Sequence, residues 1–164
     1  MDRAIIIDTD IASAFSKIQC LNDLLNIFSN HSFYITPRIF EELSVPLEFG
    51  YAFPLAIFES IDVFYPNEEE NKAYQDILLV NRSIGKGELE AICVCKSRGF
   101  VFSSMDATAL RFALSLKVDI LDLHAILRAF WMSGMKTKDE VREIIRDLEE
   151  KDNTSIKEYN YIFK

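Results

Sequence analysis

Four acidic residues stand where a carboxylate could do chemistry: Asp8 closing the run AIIID, Glu42 within ITPRIFEEL, Glu88 within GKGELEAI and Asp106 within VFSSMDATAL. Carboxylates gathered into one pocket repel unless a proton or a cation intervenes, and an oxygen-only donor set suits Mg²⁺ or Mn²⁺. Such ions lower the pKa of bound water and neutralise charge building on a phosphate, so a cluster of this kind supports phosphodiester hydrolysis. Asp10 and Glu90 are held in reserve. Glu88 and Glu90 lie two residues apart and point to nearly opposite sides of a helix, so one of them serves as ligand, and Glu88 is preferred. Of the adjacent Glu41 and Glu42, Glu42 is favoured, because Ile39, Phe40 and Leu43 leave room for only one carboxylate to turn inward. Arg38, Arg82 and Lys86 flank these acids and are candidate phosphate contacts, with solvated surface charge as the plainer reading of each. Taken singly, each acid also reads as a helix cap or a partner for a helix dipole.

Short apolar runs at 4–8, 33–36, 61–65, 100–103 and 118–121 read as five strands, separated by segments long enough for crossover helices. Helices are expected at 12–29 (one or two), 38–44 with Pro37 at its first position, 71–82, 88–98, 107–116, 123–133 and 138–149. The last carries an amphipathic stripe of Val141, Ile144, Ile145 and Leu148. This alternation predicts an α/β fold with a five-stranded, mostly parallel sheet and helices on both faces. With strand order 3-2-1-4-5, Asp8 and Asp106 flank the point where the order reverses, where ligands bind in such sheets. The stretch 45–54, with two of the four prolines, is expected to be irregular. A domain over 1–152 followed by a loosely held tail, 153–164, completes the expected organisation.

The 164 residues suffice for one domain with a full core. A formal net charge of −8, from 26 acidic against 18 basic residues, excludes a general basic field for nucleic acid, so any such contact must be local. Glu68, Glu69, Glu70 and the run from Asp147 to Asp152 read as solubilising charge. The first apolar run is too short for a signal peptide or membrane span, which points to a cytoplasmic protein without membrane contact. Cys20, Cys93 and Cys95 are odd in number and lack C-x-x-C spacing, so they read as buried thiols. His31 and His124 fall outside any metal-binding pattern, and Phe130, Trp131 and Met132 are expected to pack a helix. Gly85-Lys86-Gly87-Glu88 lacks P-loop spacing, and no dinucleotide fingerprint follows the first strand.

The succession IIIDTDIASAF, ITPRIFEEL, GKGELEAI and VFSSMDATALRFA resembles the order of acids in the PIN-domain family, across most of the chain. It is most similar to a subgroup with a Gly-Glu-x-x-Ala-Ile segment, here Gly87, Glu88, Ala91 and Ile92. The resemblance implies one or two divalent metals, Mg²⁺ or Mn²⁺, held by Asp8, Glu42, Glu88 and Asp106, with Thr9 and Ser104 as supporting hydroxyls. It implies cleavage of RNA, the toxin of a toxin–antitoxin pair as one role, an antitoxin as partner, and a homodimer. Many relatives carry two adjacent acids where this chain has Met105 before Asp106, a departure that bears on a second metal and on activity. A noncatalytic interaction module of the same fold is the alternative. Asp8-Thr9-Asp10 also resembles the nucleophile and acid of haloacid-dehalogenase-type phosphatases, but Ala12 and the lack of a later Gly-Asp-x-x-x-Asp group set that reading lower.

Overall fold

Ile5, Ile6 and Ile7 make β1 (Ile5–Ile7), buried at every position, as a strand covered on both faces must be. Around it a computed structural model, which describes residues 3–164, assembles β2 (Phe33–Ile35), β3 (Asp62–Val63), β4 (Val101–Ser103) and β5 (Ile120–Leu121). The order is β3-β2-β1-β4-β5 and every pairing is parallel. Ile6 lies opposite Phe102, and Ile7 opposite Ser103. The chain therefore builds outward on one side of β1, then returns to build outward on the other, and the reversal falls between β1 and β4. One ladder step beyond the strand, the Asp8 N–H donates to the Ser103 carbonyl at 2.9 Å.

The helices follow in chain order: α1 (Thr9–Lys17), α2 (Leu21–Ile27), α3 (Pro37–Glu48), α4 (Phe53–Ser60), α5 (Glu68–Val80), α6 (Lys86–Arg98), α7 (Ala107–Ser115), α8 (Leu123–Met132), α9 (Lys138–Lys151) and α10 (Asn160–Phe163). α1 starts directly after Asp8, and Gln19, at φ +60°, separates it from α2. The apolar stripe of α9 is buried as expected, and a capping box between Thr137 and Glu140 begins that helix.

Three expectations are corrected. The stretch 45–54 is largely helical, because both prolines are tolerated where they fall. Pro54 lies in the first turn of α4, where its missing N–H has no helical partner to lose. Pro46 lies inside α3, withholding a donor from the Glu42 carbonyl, and the helix ends soon after at Glu48. Glu68, Glu69 and Glu70 are not merely solvated charge, since they form the first turn of α5 and Glu70 is buried. Its carboxylate closes a capping box with Asn67 and accepts from Arg98 Nε at 2.8 Å and Nη2 at 3.0 Å. Met132 does not pack inward: it is 59% exposed, whereas Phe130 is buried against Phe15.

The segment after Asp152 is joined to the domain by packed side chains. Ile156 and Ile162 are buried, and Trp131 Nε1 donates to the Ile162 carbonyl at 2.6 Å. Cys93 and Cys95 are buried and Cys20 is half-buried, all three as free thiols. Among the described residues no helix is long and apolar enough to cross a membrane.

α4 buries Ile57 completely and receives the Ser16 hydroxyl on the Phe53 carbonyl at 2.6 Å. An Ile57→Ala substitution is expected to cost about 3 kcal/mol, the usual range for emptying a buried aliphatic site. Urea denaturation should show a lower midpoint with an unchanged slope; a midpoint within error of the parent would mean that α4 is not part of the cooperative core.

Candidate metal centre

The site forms where β1 and β4 end. Asp8 is 1% exposed and caps α1, accepting the Thr9 N–H on Oδ1 at 2.7 Å. Its Oδ2 accepts the Ser104 hydroxyl at 3.0 Å, while Ser104 Oγ accepts the Asp106 N–H at 3.0 Å. Ser104 therefore joins the two acids on either side of the reversal. Asp106 caps α7, with Oδ1 accepting the Ala109 N–H at 2.8 Å. Glu42 reaches in from α3: its Oε2 accepts the Thr9 hydroxyl at 2.5 Å and its Oε1 the Gly87 N–H at 3.2 Å. Glu88 occupies the first turn of α6, and its Oε2 is buried without a hydrogen-bond partner.

Charge follows geometry. Burial raises the Asp8 carboxyl well above the usual range, and the nearby charges of Glu88 and Asp10 raise it further, against the Ser104 and Thr9 hydrogen bonds. Glu88 is pushed up to about 7, first by burial and then by Asp106, Asp10 and Glu42. Asp10 is raised in the same way, first by burial and then by Asp106, Asp152 and Glu42, with Lys17 opposing. The carboxylates share one electrostatic field. Among the described residues no three His, Cys, Asp or Glu side chains are grouped closely enough to hold a metal ion as they stand, so an ion would have to draw these carboxylates together. The donor set is all oxygen and includes one buried oxygen with nothing to accept from, so its chemistry, though not its present spacing, fits a hard divalent cation.

No protein-family model and no curated protein matches the sequence. Among solved structures, the chain is similar to one from VapBC-1 of nontypeable Haemophilus influenzae, with a TM-score of 0.55 at 19% identity over 73% of this chain and 97% of that one. A PilT N-terminus domain protein from the hyperthermophilic archaeon Sulfolobus solfataricus P2 gives a TM-score of 0.49 at 15% identity over 94% of this chain and 98% of that one. The chain has a PIN-like fold.

Within this PIN-like domain the structure brings together Asp8, Glu42, Glu88, Asp106, Thr9 and Ser104, with Asp10 on the adjoining wall. Glu90 lies elsewhere: it is buried, accepts the Arg38 N–H at 2.9 Å and stands 3.8 Å from Arg38 Nε. The Arg38 guanidinium lies over the Tyr74 ring at 4.8 Å, so it is engaged within the fold. Arg82 and Lys86 are exposed at the approach to α6.

Sequence reasoning missed the far wall. A cavity of about 730 Å³ adjoins the acids, lined by Asp10, Ser13, Met105, Asp122, His124 and Asp152 among others. Asp152 is held there by Lys17 Nζ at 2.8 Å and by the Thr154 hydroxyl at 2.5 Å. Nothing local in the sequence marks Asp152, which looks like one more charge at the end of α9. Asp122 follows β5 as Asp106 follows β4 and caps α8, so the strand-then-acid pattern was a usable signal for it.

The raised Glu88 carboxyl makes stability depend on pH. In the unfolded chain it ionises near 4.5, while in the fold it keeps its proton to about 7, so between these values the folded state binds more protons. Its contribution is complete below pH 4.5 and disappears as pH rises through 7. Chelator-treated protein is expected to lose about 2 kcal/mol from this group across that window, after allowance for solvent screening. Glu88→Gln should flatten this part of the profile; thermal melts with parallel slopes for parent and variant would contradict it.

Proposed function

We propose that this domain is a divalent-metal-dependent nuclease acting on RNA phosphodiester bonds, with Mg²⁺ or Mn²⁺ as cofactor. The observation that carries this reading is the convergence of Asp8, Glu42, Glu88 and Asp106, from four separate segments, on the carboxyl edge of the sheet beside a buried, unpartnered Glu88 oxygen. These four carboxylates would hold the ion. When bound, the ion supplies an activated water and neutralises charge on the phosphate.

The chain's own residues set the geometry. Ser104 fixes the rotation of the Asp8 carboxylate and ties it to the start of α7, and Thr9 fixes that of Glu42. The N-termini of α1, α6 and α7 direct their partial positive charge at the carboxylates that cap or begin them, which tempers the repulsion. Lys86 and Arg82 offer local phosphate contacts on an otherwise acidic molecule. Half-buried Met105 takes the position of the second acid and leaves an apolar stretch of cleft wall, which favours a single ion. By analogy with the family that this chain's acids resemble, we propose a toxin with an antitoxin protein as partner and a homodimer as the assembly, which sedimentation equilibrium giving a monomer at high concentration would overturn.

Incubation with mixed-sequence RNA and Mn²⁺ is the direct test. The parent protein is expected to cut, and Asp8→Asn and Glu88→Gln to cut at least 100-fold more slowly, the scale on which metal ligands contribute. Calorimetry should register Mn²⁺ uptake by the parent and its loss in Asp8→Asn. A protein that neither takes up Mn²⁺ nor cuts is an interaction module on the same fold.

A further inference from the structure

Two residues of α6, neither of them a ligand in the reading above, bear on where Glu42 stands. Gly87 is buried in the first turn, and a Cβ built on it would lie 2.6 Å from Glu42 Oε1 and 2.9 Å from both Glu42 Cδ and Oε2. No side chain tolerates such contacts. Because the obstructing atoms end a flexible side chain on an exposed stretch of α3, the carboxylate would yield and the backbone would not. Close approach, and not an unusual backbone angle, is what requires glycine here.

Glu90 acts one turn earlier in α3, at its start. The cap of that helix, Thr36, makes no side-chain hydrogen bond, and its buried Oγ1 has no partner. Pro37 has no N–H to satisfy, and the first turn of α3 carries no acidic residue. One of its free donors, the Arg38 N–H, is served at 2.9 Å by Glu90, a carboxylate from a different helix. Glu88 and Glu90 leave opposite sides of α6, one towards the other acids and one towards the start of α3.

We infer that the first turns of α6 are a positioning device for Glu42: Gly87 seats its carboxylate, and Glu90 caps from outside the helix that carries it. The inference rests on the metal reading for its consequence, since a displaced Glu42 is a lost ligand. Gly87 and Glu90 are positioning residues, and act through Glu42.

The test is a double-mutant cycle read by Mn²⁺ affinity, from the electron paramagnetic resonance signal of free Mn²⁺. Gly87→Ala is expected to melt at the parent temperature or above in chelator, since alanine is the better helix former, yet to bind Mn²⁺ at least tenfold more weakly. In a Glu42→Gln background the same substitution should change affinity less than twofold. Glu90→Ala, though it should melt lower for the lost cap, should weaken Mn²⁺ binding likewise and only when Glu42 is present, whereas Glu90→Gln, which keeps an acceptor for Arg38, should stay within threefold of the parent.

Parent-like affinity in Gly87→Ala, an additive loss in the double variant, or a collapse of cooperative melting in Gly87→Ala would each overturn the inference. A second readout needs no metal. In chelator the ¹³C carboxyl resonance of Glu42, assigned by its absence in Glu42→Gln, should move in Gly87→Ala and Glu90→Ala and stay in Glu90→Gln. If no variant, nor the parent, takes up Mn²⁺ while that resonance moves as stated, the metal reading fails and the positioning survives. A resonance that does not move sinks the positioning alone.

Discussion

The constraint on which this molecule turns is a carboxylate, Asp8, buried at the end of the central strand with other acids around it. Burial and like charge both oppose its ionised form, and a fold that ignored this would expel it or protonate it. The surrounding chain answers with dipoles: a backbone N–H and a serine hydroxyl on its two oxygens, and helix starts aimed at the same edge. These are fixed donors that offset the repulsion in part, while Asp8 and Glu88 keep raised carboxyl groups. A site left in this condition has residual affinity for positive charge built into it.

Capping and ligation are one arrangement here. Asp8 and Asp106 each lie between a parallel strand and the helix that each caps, Asp8 directly after β1 and Asp106 after two further residues beyond β4, and the adjacency of β1 and β4 brings the two turns together. Ser104 then links them through side chain and backbone. Glu42 and Glu88 arrive differently, from helices that pack on each other, α3 and α6, and their placement depends on that packing rather than on the sheet. Sheet-borne acids are fixed by ladder geometry, helix-borne ones by what seats the helix.

That division explains what could be read from the sequence. The five strands, their order and the acids that end β1 and follow β4 were legible, because short buried runs and strand-ending carboxylates leave a local pattern. The preference for Glu42 over Glu41 rested on the apolar neighbours of that pair, and that for Glu88 over Glu90 on the opposite directions of residues two apart in a helix. The cap on α3 was not legible, because Glu90 and Arg38 come together only when two helices pack, and no spacing records that. α4 was hidden by prolines that mark breaks in most contexts, and Glu70 by neighbours that made it look like surface charge. Asp152 closes the far side of the cleft through Lys17, a contact between the two ends of the chain.

The acidity of the molecule follows from the same physics. A net charge of −8 and a cleft walled by Asp10, Asp122 and Asp152 oppose the approach of an anionic polymer within a Debye length, about 8 Å at physiological salt. For the nuclease reading this opposition is a condition on binding: a phosphate meets repulsion until cations occupy the carboxylates, and attraction afterwards. Affinity for substrate then becomes linked to affinity for metal, since each site lowers the electrostatic cost of filling the other. A positively charged cleft would hold RNA whether or not the ion needed to cut it was present. On the nuclease reading an acidic one would tie holding to cutting, by leaving its own charge uncompensated until the ion arrives.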